Sequence, residues 1–277
     1  MALTLAYSPC PNDTYVFAAL TNGLLDGAPD VRVHLADIDE LNNAAARSQF
    51  ELTKVSYGAI PFLMERYRIL PSGGAVGRAC GPLLVARPAE SPPLFADFAR
   101  RRIAIPGERT TAFMLLQLAL GSRPKSVQMR FDRIIGAVAA GEVDAGLIIH
   151  ESRFTYREAG LIAIADLGEW WENMTLLPIP LGAVVVRNDV APEEVRRVDE
   201  AIRRSLAFAR ANDAAVMPYV REHAAEMSDD VMRAHIDLYV NEFTDDLGET
   251  GRNAVRALFA RAHTARILRS DAEPHFV

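Results

Sequence analysis

Lysine is nearly missing from this chain. Of 277 residues only Lys54 and Lys125 are lysines, so almost all positive charge is arginine, which reads first as a genomic or thermal-adaptation bias. Cysteine is equally scarce: Cys10 and Cys80 cannot build a disulfide framework or a metal cluster, and they suit a reducing compartment. Long apolar runs are missing too, since Leu176–Val186 and Val143–Ile149 fall far short of the ~20 residues a membrane-crossing helix needs. No Lys or Arg precedes Arg32, so a secretory n-region is not expected and the chain is read as cytoplasmic. With 30 basic and 36 acidic residues the net charge is −6, and no clustered positive surface for nucleic acid is expected. Several motifs are lacking as well. The glycines of Ser72–Pro82 do not match G-x-G-x-x-G or a Walker loop, which argues against a nucleotide cofactor. There is no G-x-S-x-G, H-E-x-x-H or C-x-x-C, so serine-hydrolase, zincin and redox readings lose support, and neither metal nor cofactor is expected.

What is present is the patterning of an α/β protein, half hydrophobic and a quarter charged. Leu3–Tyr7 reads as a buried strand, then a turn through Ser8–Thr14, then a helix on Tyr15, Val16, Phe17, Leu20 and Leu24 ended by Gly23 or Gly27. Val31–Leu35 alternates as a strand, Asp39 caps a short helix through Arg47, and Leu52–Ala59 returns as a strand. This order predicts a mostly parallel sheet covered by helices. After the strand Leu83–Arg87, Pro88, Pro92 and Pro93 suggest a boundary. A second unit follows: strand Arg102–Ile105, helix Phe113–Leu120 opened by Thr110 and Thr111 with Gly121 as C-cap, helix Phe131–Ala140, and strand Val143–Ile149. Pro178–Val186 crosses back, and only helices follow, at Pro192–Ala211, Ser228–Val240 and Arg252–Ile267. The expected architecture is two α/β lobes around a cleft: residues 1–87 with 187–277, and 88–186.

Candidate chemistry gathers at strand ends and helix starts. His150 ends an apolar strand, where ligands of open α/β sheets sit, and imidazole titrates near neutral pH. Position alone leaves open whether it is a catalytic base or a residue that only closes the strand with a hydrogen bond. His34, His223, His235, His263 and His275 read as surface or tail residues. Thr110 and Thr111 at a helix start make an anion site, a plain N-cap, or both. Asn12 or Asp13 most simply caps the first helix. Lys54 is either a site charge or a lysine snorkelling from an edge strand, with Ser56 and Tyr57 offering hydroxyls beside it. Trp170-Trp171 reads as a pair covering a lobe edge.

Five ordered segments carry a resemblance over nearly the whole chain: SPCPNDT at Ser8–Thr14, TKVSYGA at Thr53–Ala59, the glycine-rich Ser72–Pro82, IHESRFTY at Ile149–Tyr156, and LPIPLG at Leu177–Gly182. Together they resemble the 1,4-dihydroxy-6-naphthoate synthase family of the futalosine route to menaquinone. The resemblance implies a type II periplasmic-binding-protein-like fold. It also implies a cofactor-free lyase, which cleaves cyclic dehypoxanthine futalosine to the naphthoate and releases the sugar-derived fragment. His150 would take the proton, and Lys54, Val55, Ser56, Thr110 and Thr111, with Ser8 and Asn12, would line the substrate site. A small-molecule carboxylate is then the expected partner, with no nucleic acid or membrane, and a homodimer is allowed. The rivals are a chorismate dehydratase of the same pathway, which has a similar fold, and a non-enzymatic solute-binding protein.

Overall fold

A computed structural model describes residues 2–91, 93–224, 228–269 and 271–277. In chain order the elements are β1 (Leu3–Tyr7), α1 (Pro11–Thr21), β2 (Val31–Leu35), α2 (Ile38–Ala46), β3 (Leu52–Ser56), β4 (Tyr67–Ile69), β5 (Ala75–Gly77) and β6 (Leu83–Ala86). They continue with β7 (Arg102–Ile105), α3 (Thr111–Leu120), β8 (Lys125–Gln128), α4 (Phe131–Ala139), β9 (Ala145–Ile148), α5 (Ser152–Thr155), β10 (Ile162–Asp166), α6 (Leu167–Thr175) and β11 (Ile179–Arg187). Helices α7 (Pro192–Ala211), α8 (Asp213–His223), α9 (Asp229–Tyr239), α10 (Glu242–Asp245) and α11 (Gly248–Thr264) complete the chain. None of the helices among the described residues is long and apolar enough to cross a membrane.

Two sheets form, ordered β2-β1-β3-β11-β4, with β5 also on β11, and β10-β6-β9-β7-β8. Neither is mostly parallel. β1 pairs in parallel with β2 and β3, but β11 runs antiparallel to β3, β4 and β5. In the second sheet β7 is parallel to β8 and β9, while β6 is antiparallel to β9 and β10. The sheets also divide the chain differently from the expected boundaries. β6, read as the last strand of the first lobe, lies in the second sheet, and β11, read as part of the second lobe, lies in the first. By sheet membership the crossings run through residues 78–82 and 167–178 rather than through Arg87 and Val186. In these crossings Gly81 and Gly168 pack backbone on backbone, and a Cβ on Gly81 would collide with the Gly168 backbone. Pro92 of the expected proline boundary lies outside the described residues.

Packing explains the elements. α1 begins at Pro11, where a missing N–H costs nothing, and ten of its residues are buried under α7, α8 and α9. α2 is capped by Asp37, whose carboxylate accepts from the Asp39 N–H at 3.2 Å, rather than by Asp39 itself. α3 starts and stops where expected, with Thr110 as N-cap and Gly121 left-handed at φ 64°. One apolar core spans both sheets through Val55, Tyr57, Leu84, Phe113 and Leu147, and a second, with Phe17, Val184 and Ile202, lies behind the first sheet. Trp171 is wholly buried in the shared core, with its indole N–H donating to Pro178 O at 3.0 Å, and does not cover a lobe edge.

Candidate functional site

The two lobes face each other across a cavity lined by residues of both. His150, Thr110, Thr111, Lys54, Ser56, Ser8 and Asn12 all line it. Val55 does not. Side chains alternate along β3, so Lys54 and Ser56 face the cavity while Val55 turns to the core, opposite Ala183.

Lys54 is buried on an interior strand between β1 and β11, so the edge-strand reading fails. Its ammonium donates to Asp13 Oδ1 at 2.6 Å and to Gly73 O at 2.8 Å. The backbone reaches that acceptor position by a left-handed turn at Gly73, φ 75°. Asp13 is not a helix cap. It sits in the first turn of α1 and accepts from Ser8 Oγ at 2.8 Å and from Asn12 Nδ2 at 2.9 Å, as well as from Lys54. Ser56 is clasped by Asn42, which accepts from its backbone N–H at 2.8 Å and donates to its Oγ at 3.1 Å.

His150 follows β9 at φ 56°, a left-handed conformation that costs a non-glycine residue roughly 1–2 kcal/mol. The turn brings its half-buried ring to the cavity wall, against the edge of Phe131 at 4.9 Å between centroids. Nδ1 lies 3.4 Å from Cys10 Sγ, a contact from the second lobe to the first that leaves Nε2 as the other ring nitrogen. Burial lowers the His150 pKa below that of a free imidazole. The Asp37 and Asp13 carboxylates oppose the shift, and Lys54 adds to it. Near neutral pH the ring is therefore unprotonated, as a general base must be.

The two threonine hydroxyls are engaged within the protein. Thr110 Oγ1 accepts from the Phe113 N–H at 3.2 Å and donates to Gly107 O at 2.7 Å. Thr111 Oγ1 donates to Leu181 O at 2.7 Å and accepts from the Gly58 N–H at 3.0 Å, both in the first lobe. The helix start thus offers its first-turn backbone N–H groups and dipole to an anion, while the Thr110 hydroxyl caps the helix and the Thr111 hydroxyl ties the two lobes together.

Sequence reasoning missed four contributors. His235, read as a surface residue, is 1% exposed and lines the cavity. Its ring stacks toward His150 with centroids 6.4 Å apart and packs on Tyr239 at 4.6 Å. A signal was available, because Met232, His235, Ile236 and Tyr239 follow i, i+3, i+4, i+7 spacing and form the buried face of α9. Tyr239 shares that signal, whereas Asp37 and Asn42 gave none, since their roles depend on His150 and Ser56, which lie in other elements. Among the described residues no group of three His, Cys, Asp or Glu side chains is placed to hold a metal ion.

Comparisons with known proteins place these residues in context. The family described as menaquinone biosynthesis matches residues 3–264. A protein of Thermus thermophilus named 1,4-dihydroxy-6-naphthoate synthase is 48% identical over 277 residues, covering 100% of this chain and 99% of that one. A protein of the same name from Streptomyces coelicolor is 47% identical over 265 residues, covering 94% and 92%. In three dimensions the alkanesulfonate-binding protein of Xanthomonas axonopodis superposes with a TM-score of 0.75 at 15% identity, covering 98% of this chain and 96% of that one. At that identity the likeness is one of fold, that of the periplasmic binding proteins.

Proposed function

This chain belongs to the menaquinone-biosynthesis family, and on that premise we propose that it is a 1,4-dihydroxy-6-naphthoate synthase acting on cyclic dehypoxanthine futalosine. The observation that carries the reading is the imidazole of His150 on the wall of a cavity that also holds the start of α3. The aryl carboxylate of the substrate binds at the α3 N-terminus, where backbone N–H groups and the helix dipole favour an anion. His150 Nε2 takes a carbon-bound proton, and the electron pair left behind drives cleavage of the carbon–carbon bond to the sugar-derived fragment. The imidazolium, stabilised by the Asp37 and Asp13 carboxylates, then returns its proton to the departing fragment, which carries the electron pair of the broken bond, and His150 is neutral again. Lobe contact excludes water from the carbanion-like intermediate.

We place the reaction in the cytoplasm, because Cys10 and Cys80 are both buried free thiols, as in proteins of reducing compartments. Neither rival reading is favoured. The likeness to solute-binding proteins extends to the fold alone, and both named relatives are naphthoate synthases rather than dehydratases. The test is chromatographic: purified protein with cyclic dehypoxanthine futalosine yields the naphthoate. His150→Ala lowers kcat by about 10²–10⁴-fold, the usual contribution of a positioned base. A variant with wild-type kcat refutes the role of His150, and a wild-type protein that makes no naphthoate refutes the function.

A further inference from the structure

One polar atom of a cavity-lining side chain has no use in this mechanism. His235 Nδ1 is buried and has no hydrogen-bond partner among the described residues, and the residue, 1% exposed, lines the cavity. Native structures rarely leave such an atom unsatisfied without a water, ligand or ion to meet it. Which kind of partner it needs follows from its neighbours. Asp13 is a carboxylate already paired with Lys54, so it can only accept hydrogen bonds. Asn12 lies 2.9 Å from Asp13 Oδ1 and must turn its NH₂ toward that oxygen. Its carbonyl oxygen is then the atom 2.9 Å from His235 Nε2, which must carry a proton to donate there. The chain Lys54–Asp13–Asn12–His235 therefore fixes one tautomer, with the ring proton on Nε2 and a bare lone pair on Nδ1. A second proton is disfavoured by burial and by His150. Nδ1 is thus a fixed acceptor with no donor among the described residues.

We infer that His235 is a substrate-recognition residue whose Nδ1 accepts a hydrogen bond from a hydroxyl of the bound substrate, on its sugar-derived part. This rests on the proposed function for the identity of the ligand. It divides the cavity into an anion-binding end at α3 and a hydroxyl-reading wall at α9, with His150 between the two recognition elements in function. A ligand that lacks the hydroxyl leaves the lone pair buried and unpaired, so the site discriminates against it.

The experiment uses two substitutions that separate the two ring nitrogens. His235→Gln places an amide near the Nε2 position, keeping the link to Asn12 but removing the acceptor at Nδ1. His235→Asn places an amide oxygen near Nδ1 and gives up the link to Asn12. Both are measured by equilibrium binding in the His150→Ala background, so that cyclic dehypoxanthine futalosine is not consumed. A parallel titration uses 2-naphthoate, an aryl carboxylate without hydroxyls. The expected result is that His235→Gln weakens binding of the hydroxylated ligand about tenfold, the size of one hydrogen bond. It leaves 2-naphthoate within about twofold, and His235→Asn recovers most of the loss. Equal weakening of both ligands, or none, overturns the assignment. Turnover by the protein with His150 intact separates the two failures. If that protein makes naphthoate while His235→Gln binds normally, only the role of His235 falls. If it makes none, the functional reading falls first and this inference with it.

Discussion

Asp13→Asn tests whether the buried ion pair with Lys54 organises the site or merely occupies it. The substitution is nearly isosteric, yet it leaves the Lys54 ammonium, with a side chain 4% exposed, facing only Gly73 O and a neutral amide. Breaking a buried pair by removing one partner typically costs about 3–5 kcal/mol, because the remaining charge has lost both water and its counterion. Lys54→Met is the milder change. The Asp13 carboxylate it leaves behind still accepts from Ser8 Oγ and Asn12 Nδ2. The double variant removes both charges and recovers most of the loss, since an apolar replacement of a whole pair is close to neutral. An unfolding entropy of about 2.1 cal/mol/K per residue gives roughly 0.6 kcal/mol/K for 277 residues unfolding as one unit. On that scale Asp13→Asn lowers Tm by roughly 5–9 °C. Calorimetry on the four proteins of the cycle reads all of this directly. If Asp13→Asn costs less than Lys54→Met, or if the two single losses simply add, the pair is not a coupled buried unit and the reasoning fails.

The further predictions concern pH and the lobe contact. Because burial lowers the His150 pKa, the acid limb of kcat/KM lies below the ordinary imidazole value of about 6.5. Asp37→Asn keeps the α2 cap but removes a carboxylate that pulls the pKa up, so it moves the limb to still lower pH; an upward or absent movement refutes the electrostatic coupling. The stability sign follows from the same shifts. His150 and His235 are held neutral in the fold, the unfolded chain takes up protons first, and stability falls as pH drops below about 6.5. Gly58→Ala builds a Cβ 2.8 Å from Thr110 C and O and 2.9 Å from Thr111 N, all backbone atoms of the facing lobe. An overpacking cost of about 1–3 kcal/mol lowers Tm by roughly 2–5 °C and raises KM, whereas an unchanged Tm and KM show that the lobes do not meet there in solution.

The residues legible in the sequence were those whose role is set by local chain geometry. His150 closes an apolar strand, Thr110 and Gly121 bracket α3, and in each case one stretch of chain carries the whole signal. What was misread depended on pairing over distance. β3 reads LTKVS and is buried throughout, because β11 covers it from about 130 residues away and makes an interior strand of what read as an edge. The lysine in that strand has its partner 41 residues earlier, in a helix turn whose acids look like ordinary caps. The antiparallel insertion of β11 is invisible to a reading that follows strand–helix–strand order, and so is the resulting exchange of β6 and β11 between lobes.

The threonine pair shows how the same long-range pairing alters the chemistry assigned to a correctly located motif. A helix start at Thr110–Thr111 suggests hydroxyls offered to a ligand, but Thr111 gives its hydroxyl to Leu181 O and Gly58 N across the lobe boundary. What remains for an anion is backbone N–H and dipole, which no side-chain substitution removes. The proposed base has the same dependence. His150 belongs to the second lobe, yet Nδ1 contacts Cys10 at the N-cap of α1, and the carboxylates that temper its pKa, Asp13 and Asp37, both belong to the first. The proposed anion site and the proposed base thus both make contacts with the opposite lobe, Thr111 Oγ1 with Leu181 O and the Gly58 N–H, and His150 Nδ1 with Cys10 Sγ. A substitution at that seam such as Gly58→Ala, whose Cβ would lie 2.8 Å from the Thr110 backbone, is therefore expected to act on both.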